Sequence, residues 1–254
     1  MAKLKVLFCS SEVVPFAKTG GLADVAGSLP LALEELGVDV RIVMPKYSSI
    51  NIEGNETTIG KNIKVYFIDN PDFYSRPHLY GDKYGDYADN LERFLFYSHG
   101  VLDIIKEKKF VPDILHSHDW QAALPIILQK ALYKNDPVLS KIKTILTIHN
   151  LAYQGLFPKE KFPLLGIGWE YFTMDALEFY GKINLLKGGI IFADLVTTVS
   201  ETYAKEILTP EFGCGLEGVL QKKSKDLSGI INGIDYNLWD PSRDKAIYKT
   251  YGLK

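Results

Sequence analysis

The run IKTILTIH, residues 142–149, decides the fold. A strand with one wet face alternates apolar and polar residues. TILTI is apolar nearly throughout, the composition of a central parallel strand buried on both faces. KVLFCS, residues 5–10, has the same character. Further β-branched runs follow at VDVRIVMP (38–45), NIKVYFID (62–69), PDILHSH (112–118), ADLVTTVS (193–200) and LSGIING (227–233). Amphipathic helical patterns lie between most of them, at 22–36, 90–108, 120–133, 184–192 and 200–208. Strand and helix in alternation predict an α/β protein with a Rossmann-like, doubly wound parallel sheet.

A chain of 254 residues, 46% hydrophobic, can bury the core of one large domain or two small ones. No repeat, low-complexity tract or linker marks a break. Residues 46–60 and 70–87 are polar, aromatic and punctuated by proline and glycine, which predicts loops or a small hairpin insertion; long loops at strand ends line the ligand crevice of such sheets. The net charge is −2, and the densest basic clusters, KEKK (106–109) and QKKSK (221–225), read as solvated helix faces, so no nucleic-acid partner is expected. The two cysteines, Cys9 and Cys214, form no CxxC pattern and point to a reducing, cytoplasmic setting. The N-terminal apolar run is too short for a signal peptide. No window approaches the roughly 18 apolar residues of a membrane span, so neither secretion nor membrane insertion is expected.

VPFAKTGGLADVAGSLP, residues 14–30, joins a strand to a helix. A helix start presents free N–H groups and the positive end of the dipole, and Gly20 and Gly21 would let an anion approach that backbone; Lys18 adds a full charge. A plain turn with a solvated lysine is the competing reading, since the spacing matches neither G-x-G-x-x-G nor the P-loop. Asp24 is favourable near a helix start whatever its function. Pro30 is expected to kink or restart the helix.

Three further strand ends carry polar side chains. ILHSHDWQAALP places His116 and His118 on one side of a strand, with Asp119 and Trp120 where it gives way to a helix. With His149 these could suggest a metal, but there is no cysteine partner and no helical H-x-x-x-H pair, so no metal is expected. Asp119 could be the N-cap of the next helix. TIHNLAYQGLFP, residues 147–158, sends His149, Asn150, Tyr153 and Gln154 into one short loop, a set of oriented donors and acceptors suited to a polyol. GIINGIDYNLWDP, 229–241, brings Asn232, Gly233 and Asp235 to another strand end, where Asn-Gly alone reads as a turn. Ser200 reads as an N-cap before Glu201 and Thr202. No nucleophile elbow, Cys–His pair or close carboxylate pair announces a hydrolase.

In that order and spacing KTGGLADV, HSHDWQ, TIHNLAYQG, TVSETYAKEI and NGIDYNLWDP resemble glycosyltransferase family 5, the bacterial glycogen synthases and plant starch synthases, from about residue 4 to about residue 241. The resemblance implies transfer of glucose from ADP-glucose to the non-reducing 4-hydroxyl of an α-1,4-glucan such as glycogen or a maltooligosaccharide, with retention. It implies the GT-B fold, two Rossmann-like domains across a cleft, with no metal or other cofactor.

Carried over by motif, Lys18, Thr19, Gly20 and Gly21 resemble the donor-binding loop, and Asp24 a cleft residue beside it. Asp119, His149 and Asn150 resemble the surroundings of the transferred glucose, with His149 and Asp119 in the catalytic roles. Trp120 and Tyr153 resemble the acceptor side, and Asn232 a residue near the donor sugar. The family's second domain would begin just past WDPSRD, so residues 1–254 are expected to form the N-terminal GT-B domain, weak or inactive without its C-terminal partner. A non-catalytic glucan- or nucleotide-binding module, or another GT-B glycosyltransferase, would share these features. Donor preference for ADP-glucose over UDP-glucose rests on the resemblance alone.

Overall fold

The computed structural model describes residues 3–236 and 239–252. Its framework is an eight-stranded sheet. In chain order the strands are β1 (Lys5–Cys9), β2 (Asp39–Pro45), β3 (Glu56–Ile59), β4 (Ile63–Ile68), β5 (Ile114–His118), β6 (Lys143–Ile148), β7 (Leu195–Thr198) and β8 (Leu227–Gly229). Across the sheet they run β8-β7-β6-β5-β1-β2-β4-β3. Every pair is parallel except β3–β4, an antiparallel hairpin that closes one edge. The hairpin falls at the end of the segment read as loop or insertion.

Strand composition follows position. Leu7, Phe8 and Cys9 of β1, Ile42, Val43 and Met44 of β2, and Leu146 and Ile148 of β6 are wholly buried, as central strands covered on both faces require. The covering helices include α1 (Gly21–Glu35), α2 (Asn90–Glu107), α3 (Leu124–Ala131) and α4 (Leu185–Phe192). α2 packs on α3 and α3 on α4, forming one continuous layer. α1 serves the β1-to-β2 crossover, which runs in the opposite direction across the sheet; right-handed crossovers therefore place it on the other face.

Two expectations need correction. Pro30 does not restart a helix, because α1 runs through it to Glu35 with the ring buried. Only one hydrogen bond is given up, and the apolar face of α1 keeps its packing. The helical pattern at 120–133 is split into a 3-10 turn, Trp120–Ala122, and α3, because Pro125 sits in the first turn of a new helix. Additional to the sequence reading are a three-stranded antiparallel sheet made of Leu156–Pro158, Glu178–Phe179 and Lys182–Asn184, and a short helix at Glu217–Lys222.

The topology fixes where a ligand can sit. From β1 the chain builds outward through β2 and β4, then returns to place β5 on the opposite flank of β1. The neighbouring C-terminal ends of β1 and β5 form the switch point, where loops diverge and leave a crevice. Ser10–Gly20 leaves one side of it and Asp119 the other.

Candidate active site

The loop after β1 is organised by a residue the sequence did not single out. Glu12 is 3% exposed, and its carboxylate takes the Thr19 N–H, the Thr19 hydroxyl at 2.6 Å, the Gly20 N–H at 3.3 Å and the Tyr80 hydroxyl at 2.7 Å. Tyr80 arrives from the 70–87 segment, so that insertion does reach the crevice. Two of the N–H groups expected to cradle an anion are thus held by a carboxylate of the chain itself. The next two, of Gly21 and Leu22, open α1 behind Gly20, which provides no side-chain cap. An uncapped helix start with its positive dipole end remains available to an anion. Lys18 stands beside it, paired with Asp24 at 2.7 Å, the two side chains 47% and 33% exposed. The structure thereby joins Lys18 and Asp24, which the sequence placed six residues apart.

Across the switch point, Asp119 sits at φ 56° and ψ −173°, a sparsely populated positive-φ conformation that costs a non-glycine residue about 1–3 kcal/mol. It is not an N-cap: its side chain makes no bond to the following turn and instead accepts the His149 N–H at 2.7 Å. The strained backbone aims the carboxyl across to the end of β6 instead of along its own helix. Burial pushes the Asp119 carboxyl up to about 7, against the pull of the His149 and Asn150 N–H groups and with a further push from the charge of Glu12. The charge of Glu12 thus disfavours an ionised Asp119 across the crevice.

His149 opens the loop after β6. Its Nε2 lies 3.0 Å from His118 Nδ1, and burial lowers its pKa to about 4, so the ring is neutral. His118 stacks on Phe8 at 4.1 Å. His116 bonds Thr147 at 2.7 Å, and burial lowers its pKa to about 3. The three histidines are thus engaged with one another and with a threonine. Among the described residues no group of three or more His, Cys, Asp or Glu could hold a metal.

The rest of the loop is pinned from outside. Asn150 is exposed, with its side-chain oxygen accepting the Ala152 N–H at 3.0 Å, and the Leu151 N–H donates to the Tyr203 hydroxyl at 3.0 Å. Gln154 turns inward: it accepts from Asn184 at 2.6 Å and donates to the Cys214 carbonyl at 3.0 Å, so it is spent on structure and leaves the polyol set. Gly155 takes φ 64°, and the Trp120 ring lies against it, where a Cβ would sit 2.5 Å from the indole. Trp120 itself is 7% exposed and acts as the wedge under this loop, whereas Tyr153 is 67% exposed and open to a ligand. Ser200 caps its helix by accepting the Tyr203 N–H, which sets Tyr203 in place for Leu151.

The 229–241 motif returns toward α1. Gly233, Ile234 and Asp235 line one cavity with Asp24, Gly27 and Ser28, and Asn232 is exposed just before them. Asn237 and Leu238 of that motif, and Leu253 and Lys254 at the chain end, lie outside the described residues.

A parallel Rossmann-like sheet with these groups gathered at its switch point is the N-terminal domain architecture of the GT-B glycosyltransferases. Residues 5–222 match the starch synthase catalytic domain family, and the chain belongs to that family. It is 48% identical to a glycogen synthase of Geotalea uraniireducens (strain Rf4), over 98% of this chain and 56% of that protein. To glycogen synthase 2 of Geobacter sulfurreducens it is 44% identical, over 99% and 56%. The chain spans about 56% of the length of these curated relatives. The solved catalytic domain of Starch Synthase IV from Arabidopsis thaliana, bound to ADP and acarbose, has a TM-score of 0.86 at 31% identity, covering 98% of this chain and 56% of that one. A sucrose-phosphate synthase of Thermosynechococcus elongatus, at 12% identity and TM-score 0.57, shares the fold.

Proposed function

We propose that this chain forms one wall of the cleft of a retaining glucosyltransferase that moves glucose from ADP-glucose to the non-reducing end of an α-1,4-glucan. The observation that carries the reading is the pairing, at one switch point, of an uncapped helix start beside Lys18 with the Asp119–His149–Asn150 corner. The first suits a diphosphate and the second a sugar. The plant relative's ADP and acarbose belong to the same two ligand classes.

Cleavage of the anomeric C–O bond leaves positive charge on the sugar and negative charge on the departing ADP. Donors fixed before the reaction stabilise that state more than the ground state. Lys18 and the first N–H groups of α1 face the leaving diphosphate, and Lys18 exchanges Asp24 for phosphate oxygen. His149, neutral, and Asp119, its carboxyl held well above the usual carboxylate range by burial, orient glucosyl hydroxyls. Neither acts as a nucleophile in this scheme. Asn150 and Asn232 contact the donor sugar and Tyr153 offers an aromatic face to the acceptor. Trp120 shapes that side from beneath. The enzyme's second domain closes the cleft, and closure excludes the water that would otherwise hydrolyse the donor. Two unpaired cysteines, one of them exposed, fit a cytoplasmic enzyme.

The test is glucosyl transfer from labelled ADP-glucose to maltoheptaose, using the protein in its complete reading frame with and without Lys18→Ala. Chain extension that weakens through a raised KM for ADP-glucose is expected. Extension that is indifferent to Lys18 removes the diphosphate assignment, and no extension at all removes the proposed reaction.

A further inference from the structure

Beneath His149 lies a histidine that touches no open surface. His118 is 0% exposed, stacked on Phe8 at 4.1 Å and tilted against His116 at 4.3 Å between ring centres. Its Nδ1 meets His149 Nε2 at 3.0 Å, and its Nε2 is buried with no hydrogen-bond partner. Burial lowers the pKa of both rings, so each carries one ring proton at neutral pH. One proton lies between the two nitrogens, and two arrangements are possible.

If His149 donates from Nε2, His118 must carry its own proton on Nε2. That proton would then be a buried N–H with no hydrogen-bond partner. If His118 donates from Nδ1, its Nε2 is left as an unpartnered lone pair. Buried orphan donors are the rarer and costlier of the two defects. We infer that His118 is a positioning residue: it donates Nδ1–H to His149 Nε2 and so fixes His149 as the tautomer protonated at Nδ1. The working ring is then presented with a neutral N–H donor at its outer nitrogen, which is not among the buried orphan atoms. That the acceptor there is a sugar oxygen rests on the proposed function; the tautomer does not.

The relay is anchored from below. His116 Nε2 bonds Thr147 Oγ1 at 2.7 Å, and Thr147 bonds Thr197 Oγ1 at 2.7 Å, so the His116 ring that lies against His118 is itself held in place. The Asp119 carboxyl accepts the His149 backbone N–H and takes neither ring nitrogen of the pair.

The test is long-range 1H–15N correlation on 15N-histidine-labelled protein near pH 7.5, with five histidines to resolve and a His149→Gln spectrum to mark the ring of interest. His149 is expected as one tautomer, with a pyrrole-type Nδ1 and a pyridine-type Nε2. His118→Phe keeps the stack and deletes the donor; His149 is then expected to average between tautomers while far-UV circular dichroism is unchanged. A wild-type His149 protonated at Nε2, or already averaged, overturns the inference, as does a tautomer unmoved by His118→Phe. If that variant fails to fold, the wild-type spectrum still decides. Absence of glucosyl transfer in the wild type would strike the proposed function and leave the tautomer standing.

Discussion

Gly155→Ala isolates the geometry that holds the loop after β6. Two penalties add. The backbone sits at φ 64°, where a side chain costs about 1–2 kcal/mol. The new Cβ would also lie 2.5 Å from Trp120 Cε3 and 2.7 Å from Cδ2. The indole has nowhere to retreat, being 7% exposed and edge-packed on Phe94 at 5.0 Å and Phe157 at 5.8 Å, so overpacking of about 1–3 kcal/mol applies. The expected total is roughly 2–5 kcal/mol. At an m-value of about 3 kcal/mol/M the urea midpoint falls by roughly 1 M. The assay is urea unfolding followed by circular dichroism, with tryptophan fluorescence in parallel. Repeating it in a Trp120→Ala background removes the obstacle, and only the backbone cost of about 1–2 kcal/mol should remain. A change below about 0.5 kcal/mol, the usual scatter of neutral surface substitutions, or an equal cost in both backgrounds, would refute the wedge.

Other outcomes follow from the same contacts. Glu12→Gln should cost about 1–3 kcal/mol in urea unfolding, because a neutral amide cannot satisfy all four donors that converge on the carboxylate; equal stability would mean that the loop is held elsewhere. Asp119 has a folded-state pKa raised to about 7 from 3.8, so its contribution to stability is whole below 3.8 and lost as pH rises through 7. Asp119→Asn should therefore stabilise the protein at pH 8 more than at pH 5, by about 1–3 kcal/mol, while lowering transfer; a pH-independent difference would contradict the burial argument. His116 and His149 have the opposite sign. Their folded pKa values of about 3 and about 4 lie below 6.5, so their contribution is whole above 6.5 and is lost as pH falls from there toward 4 and 3. Unfolding melts in the Asp119→Asn background should lose about 2–4 kcal/mol between pH 8 and pH 5, and a flat profile would show rings that protonate freely.

The sheet was legible because burial on both faces writes itself into composition. KVLFC and TILTI are β1 and β6 to within a residue or two. The three-stranded satellite sheet was not, because its strands are two or three residues long and show no period. At the site, strand ends identified the residues that leave the sheet, such as His149 and Lys18. They could not reveal those that arrive from a distance. Glu12 reaches Tyr80 across 68 positions, and Leu151 reaches Tyr203 across 52. Gln154 was misjudged for the related reason that a polar side chain in a loop can turn inward when buried partners such as Asn184 await it.

The most direct test of the central claim is competition at the start of α1. Binding of ADP-glucose to the protein in its complete reading frame, measured by isothermal titration, should weaken at least tenfold with Lys18→Ala, equivalent to about 1.4 kcal/mol, while maltoheptaose binding holds. Nucleotide affinity unchanged by that substitution, with oligosaccharide affinity lost instead, would place the acceptor where the diphosphate is assigned and contradict the account.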